Sequence, residues 1–157
     1  MDKTENQLKY EKYRQQFKRL NNALNNGFNL EAMFIEYAIM EDRTESILRH
    51  ADKWEAYLKK RGKNEPTLNS KIVYVQKQKE SNWKDLLNRY FSDDLLDRIL
   101  SWTEDRNRLI HALLKQHLEH NEVTELAAQG KQLVDELRNR ANKYNRAVDR
   151  RKAKEIP

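Results

Sequence analysis

Apolar side chains recur along this chain every three to four positions, the spacing of one face of an α-helix, and no stretch alternates like a strand. Between residues 4 and 25, Tyr10, Tyr13, Phe17, Leu20 and Leu24 share one face, with charges opposite. Asn25-Asn26-Gly27 then stops the helix, because glycine accepts the left-handed backbone that ends one. Asn29 is placed to cap a second helix, with Phe28 as a hydrophobic staple against Met33. That helix is expected from Leu30 to about Lys60, kinked near Asp52. Its apolar arc holds Leu30, Met33, Phe34, Tyr37, Met40, Ile47 and Leu48.

Arg61 to Asn69, with Gly62, Asn64 and Pro66, is the clearest loop. A third helical region follows from about Leu68 to Lys79. Ser81 can cap a continuation over Trp83 to Phe91, and the pattern leaves open whether these are one helix or two. Ser92 to Leu118 reads as a long amphipathic helix capped by Ser92, with Asp93 and Asp94 in the first turn, where the helix dipole favours negative charge. Leu95, Ile99, Trp102, Leu109, Ile110 and Leu113 form its apolar face. The last helix is expected from Glu122, capped by Asn121, to about Arg151. Its face of Leu126, Leu133, Leu137, Ala141, Tyr144 and Val148 also contains Gly130. Glycine costs roughly 1 kcal/mol in a helix relative to Ala, so another helix is expected to approach there. The pattern predicts an all-α, single-domain bundle of about five helices.

Composition agrees with long helices and few turns. The chain has 157 residues with only 3 Gly and 2 Pro, and 36% of residues are charged. With no Cys, disulfide scaffolds and Cys-ligated metal sites are excluded. No apolar run of about 18 residues could span a membrane, and MDKTENQLKY has no apolar signal core, so a cytoplasmic location without membrane association is expected. A net charge of +6 suits a polyanion partner. The cations crowd the last helix: Arg138, Arg140, Lys143, Arg146, Arg150 and Arg151. They are read either as RNA contacts or as complements to the helix dipole.

Chemistry concentrates on the fourth long segment. Arg106 falls in the middle of its apolar face, and a guanidinium there needs acceptors or a wet cleft, since it cannot shed its charge. His111, five residues on, is the side chain best suited to move protons near neutral pH. Glu41 projects into the apolar arc of the second helix and is the expected partner of Arg106, as part of a site or as a structural ion pair. His117 projects to the face of Arg106, as a further polar contributor or as a packing residue. No H-E-x-x-H spacing, Gly-rich phosphate loop or Ser/Cys nucleophile constellation occurs, so no metal or cofactor is expected.

Arg106-Asn107-Arg108-Leu109-Ile110-His111 resembles the R-x4-H motif of the HEPN superfamily, including the polar residue that often follows the Arg. The resemblance implies a small helical bundle that cleaves RNA without a metal, in a toxin–antitoxin, abortive-infection or phage-defence setting. It implies Arg106 and His111 as the central residues, with Asn107 supporting. It also implies a homodimer in which two motifs meet across the two-fold interface; Leu114, His117 and Leu118 are the expected contacts. In the branch paired with a nucleotidyltransferase antitoxin the motif continues as R-x4-H-x-Y. Leu113 stands at that position here, so that partner is not implied, and an antitoxin or defence-system protein of another kind is. The expected function is a metal-independent endoribonuclease supported by Glu41. The alternative is a non-catalytic helical module that binds RNA or a protein in a defence or prophage assembly.

Overall fold

The structure, a computed structural model, describes residues 4–81, 85–113, 115 and 119–155. Trp83, Leu114, His117 and Leu118, named above, lie outside the described residues. Among the described residues, seven helices follow one another: α1 (Glu5–Asn25), α2 (Asn29–His50), α3 (Trp54–Arg61), α4 (Leu68–Ser81), α5 (Leu86–Tyr90), α6 (Leu95–Ala112) and α7 (His120–Glu155). The all-helical expectation holds, and the count of five does not. The second predicted helix breaks outright at Asp52, whose φ of 55° no helix continues through. Its carboxylate is held by Lys152 at 2.9 Å. Asp85 starts α5 afresh by accepting from the Leu87 amide at 3.4 Å.

The ends of the helices follow local chemistry, with several substitutions of actor. Thr4 and Gln7 close a reciprocal capping box on α1, each side chain accepting from the other's backbone amide. Gly27 takes φ 74° at the α1–α2 turn. Asn29 does not cap α2. Its amide reaches across to Thr124 Oγ1 at 3.0 Å, tying the start of α2 to α7. Phe28 is exposed, so no staple with the buried Met33 forms. Ser92 precedes α6 without capping it, and Asp93 accepts from the Leu95 amide instead.

Polar ties across the helix pairs give their directions. Tyr13 and Arg19 of α1 meet Arg43 and Glu31 of α2, so α1 and α2 are antiparallel. Asn29, Ser46 and Asp52 meet Thr124, Asn145 and Lys152, so α2 and α7 run the same way. Trp102, Arg98 and Asp93 meet Leu126, Glu136 and Arg140, so α6 runs back along α7. At 36 residues α7 extends about 54 Å and serves as the spine. Every helix contributes to one buried apolar cluster, from Leu20 of α1 to Val148 of α7. Each Leu or Ile buried there is worth about 1.5–3 kcal/mol. Among the described residues, no helix is long and apolar enough to cross a membrane.

Candidate functional site on α6

The hydrophobic stripe of α6 is carried by Leu95, Ile99, Trp102 and Leu109, all buried, and the same stripe draws Arg106 inward. Arg106 is only 8% exposed. Its guanidinium carbon lies 4.8 Å from the ring centre of Phe34 and 4.6 Å from that of Tyr37, both on α2. Cation–π attraction of this kind is worth about 0.5–2 kcal/mol, more where water is excluded. Tyr37 is itself anchored, since its hydroxyl accepts from the Leu68 amide at the start of α4 at 3.2 Å. Nη1 of Arg106 donates to Asn107 Oδ1 at 3.1 Å. Nε is buried without a hydrogen-bond partner. Burial pulls the guanidinium pKa below its ordinary value, opposed by Tyr37, yet arginine keeps its proton in proteins. A permanent cation is thus held between two aromatic rings with donor capacity to spare.

Glu41 is not its partner. It is half-buried and accepts from Lys71 Nζ of α4 at 3.3 Å, as does Glu45. No ion pair among the described residues involves Arg106. In projection Glu41 falls among Phe34, Tyr37 and Leu48, but in the folded chain Lys71 of α4 supplies its cation. A supporting role for Glu41 at the Arg106 site is therefore withdrawn.

Asn107 touches Arg106, whereas His111 is exposed and joined to neither by a hydrogen bond among the described residues. The separation follows from helix geometry, because residues five apart point roughly 140° apart and sit about 7.5 Å apart along the axis. On a different flank, facing α7, a groove of about 390 Å³ is lined by Asp105, Glu122 and Glu125 with Arg108. Three carboxylates against one guanidinium make that groove a poor seat for a polyanion.

The cations of α7 divide. Arg138 stacks on Phe17 at 4.5 Å. Arg140 pairs with Asp93 and donates to the Tyr90 carbonyl at 3.4 Å. Both bind α7 to its neighbours. Lys143, Arg146, Arg150 and Arg151 are exposed, and none joins an ion pair among the described residues. From Leu126, beside Trp102, to Arg150 is roughly 24 residues, or about 36 Å of helix. The free basic end and the motif therefore stand at opposite ends of the bundle.

The buried carboxylate of α2 is Glu36, at 0% exposure with neither oxygen hydrogen-bonded. It fills the space beside Gly130, where a Cβ would overlap Glu36 Oε2 and come within 2.8 Å of Trp102 Cζ2. This is the close approach expected at Gly130, made by one side chain from α2 and one from α6. Burial raises the Glu36 pKa to about 8, opposed by Lys131. Its signal was in the sequence: Glu36 is spaced three residues from Met33 and four from Met40, in the middle of the deepest stripe of α2. No cluster of three or more His, Asp or Glu side chains that could hold a metal ion occurs among the described residues.

No family model, curated protein or solved structure matches the chain.

Proposed function

We propose that this chain is a metal-independent endoribonuclease of the HEPN kind, acting through Arg106, Asn107 and His111. One observation carries the reading: Arg106 is a buried, permanently charged group with no carboxylate paired to it among the described residues. A structural arginine is ordinarily matched by acceptors, because stranding a charge in a core is costly. Phe34 and Tyr37 instead hold this one by its faces, and its Nε donor is left without a protein acceptor among the described residues.

RNA supplies its own nucleophile. The 2′-oxygen attacks the adjacent phosphorus, the bond to the 5′-oxygen breaks, and a 2′,3′-cyclic phosphate forms. One base must take the 2′ proton and one acid must return a proton to the leaving oxygen. His111 suits either role. Arg106 offers charge and paired donors to the phosphorane oxygens, and Asn107 orients the guanidinium. Since Arg106 and His111 diverge on one helix, the reading calls for a homodimer in which the Arg106 of one protomer and the His111 of its partner share a groove. Two-fold contacts use the same patch on both subunits.

The test is cleavage of single-stranded RNA in excess EDTA. Products should end in a cyclic phosphate, and a 2′-deoxy substitution at the scissile position should block the reaction. His111→Ala should abolish cleavage without lowering thermal stability, since the side chain is exposed. Light scattering over a dilution series should show activity and dimer lost together. Full cleavage by His111→Ala would end this reading. The second reading, a non-catalytic RNA-binding module, is favoured by the exposed cations Lys143, Arg146, Arg150 and Arg151. In that case RNA stays intact, and neutralising those four weakens binding and flattens its salt dependence.

A further inference from the structure

A second cavity, about 420 Å³, opens between α3 and α4 beneath the 62–67 loop. It is unrelated to the Arg106 site. Its wall combines Tyr57, Tyr74 and Val73 with Thr67, Asn69 and Ser70, and three cations face it: Lys60 and Arg61 from α3 and Lys77 from α4. No carboxylate lines it. Elsewhere in the chain many cations are paired, as in Arg19–Glu31, Arg98–Glu136 and Lys131–Asp135. None of these three joins an ion pair among the described residues.

Lys60 and Arg61 alone would be ordinary, because cations in a last turn complement the helix dipole. Lys77 has no such reason, as it belongs to a different helix and lies beyond the middle of α4. Two residues of its wall, Arg61 and Asn69, each carry a buried polar atom without a hydrogen-bond partner among the described residues, Nε and Oδ1. Its frame is already rigid. Tyr57 is buried and its hydroxyl is 2.7 Å from Ser70 Oγ. Arg61 Nη2 donates to the Glu65 carbonyl at 2.6 Å, which ties the end of α3 to the loop that follows it. The Tyr74 ring packs edge-on against Tyr57 and has Lys60 Nζ 5.8 Å from its centre.

We infer that the α3–α4 cavity binds a small ligand carrying a di- or triphosphate group. Three cations line this one cavity from two helices, none of them in an ion pair among the described residues, and they match a compact charge of that size. The volume is within the range of small-molecule sites, about 300–1,000 Å³. The group can arrive as free inorganic polyphosphate or as part of a nucleoside polyphosphate. In the second case the apolar wall of Val73 and Tyr74 takes the rest of the molecule.

Calorimetric titration of the full chain with pyrophosphate, tripolyphosphate, ATP and adenosine tests this. Tripolyphosphate and ATP should bind and adenosine should not. ATP and tripolyphosphate binding equally assigns the site to the phosphates alone, and tighter binding of ATP assigns the wall to its nucleoside. Lys77→Glu should weaken both by about tenfold or more, the scale of losing one charge-assisted contact. Lys77 is exposed, so the variant should fold. Lys60→Glu provides an independent repeat. Lys143→Glu changes net charge equally at a distant site and should leave binding unchanged. No heat with any phosphate at about 1 mM, binding of adenosine alone, or equal weakening by Lys77→Glu and Lys143→Glu would each overturn the proposal.

Discussion

Among the described residues, Arg106 and Glu36 are the two buried acidic or basic side chains without an ion-pair partner, and the two are handled differently. Glu36 is sealed between α2, α6 and α7 with both oxygens unpartnered. Its pKa of about 8 shows the way out: near neutral pH the carboxyl keeps its proton and the core holds a neutral acid. Arg106 has no such exit. Its charge persists, and among the described residues two aromatic faces and one asparagine oxygen meet it. An acid that can neutralise itself is explained by packing alone. A base that cannot, held unneutralised, is better explained by something it must bind.

The largest effect should come from removing the ionisation of Glu36. A folded pKa raised above the unfolded one means the native state binds the proton more tightly. The stabilisation is then complete below the unfolded value of 4.5 and is lost as pH rises toward about 8. Each pH unit of that interval is worth about 1.4 kcal/mol, so the penalty at pH 9 is on the order of 5 kcal/mol. Glu36→Gln keeps the shape and cannot ionise. It should raise stability at pH 9 by most of that amount and change little at pH 4, as read from urea melts at the two values. Parallel pH profiles for the variant and the parent would show that Glu36 is solvated or paired after all.

Arg106→Met asks the opposite question of the other group. It preserves an unbranched apolar stem between Phe34 and Tyr37 and deletes the charge. Replacing a buried charge by an apolar group of similar volume is often neutral or stabilising. Thermal stability should therefore hold or rise, while RNA cleavage falls by about 100-fold or more, the usual cost of losing a transition-state donor. A lower melting temperature with cleavage intact would make Arg106 a structural residue and erase the contrast with Glu36.

Helix periodicity made much of this legible. The turn at Gly27, the 61–69 loop and the start of the last helix near residue 120 lie where the apolar spacing and turn residues point, the separate α3 does not, and the inward Arg106 follows from its place between Trp102 and Leu109. The expectation that something packs closely on Gly130 was also sound. What periodicity cannot express is which neighbour reaches a face first. Glu41 lies on the flank of α2 that also holds Phe34 and Tyr37, but α4 occupies its stretch of that flank and brings Lys71. Similarly, Arg138 and Arg140 carry the same charge as Arg146 and Arg150. The difference between packing against Phe17 or Asp93 and standing free appears only once α1 and the α5–α6 turn are positioned. Asp52 marks a third kind of limit. Its carboxylate meets Lys152, a hundred positions later in the chain, and a break held partly by so remote a partner looks locally like a kink.

Glu41→Gln gives the smallest effect and separates the two accounts of that residue. Were Glu41 the counter-charge of Arg106, its loss would strand a buried cation, at about 3–5 kcal/mol. The observed partner is Lys71, whose side chain is 4% exposed and which sits 3.3 Å from both Glu41 and Glu45. Losing one of two carboxylates leaves Lys71 still paired. Glutamine also retains an oxygen able to accept from Nζ. Both carboxylates are about a third exposed, so solvent screens part of each attraction. The change should therefore cost less than about 1 kcal/mol and leave RNA cleavage untouched. The double variant Glu41→Gln/Glu45→Gln should cost more than the sum of the two single changes, because only then does Lys71 lose its last carboxylate. Additive losses in denaturant melts would mean that Lys71 does not depend on the pair. A fall in cleavage with Glu41→Gln alone would return Glu41 to the Arg106 site.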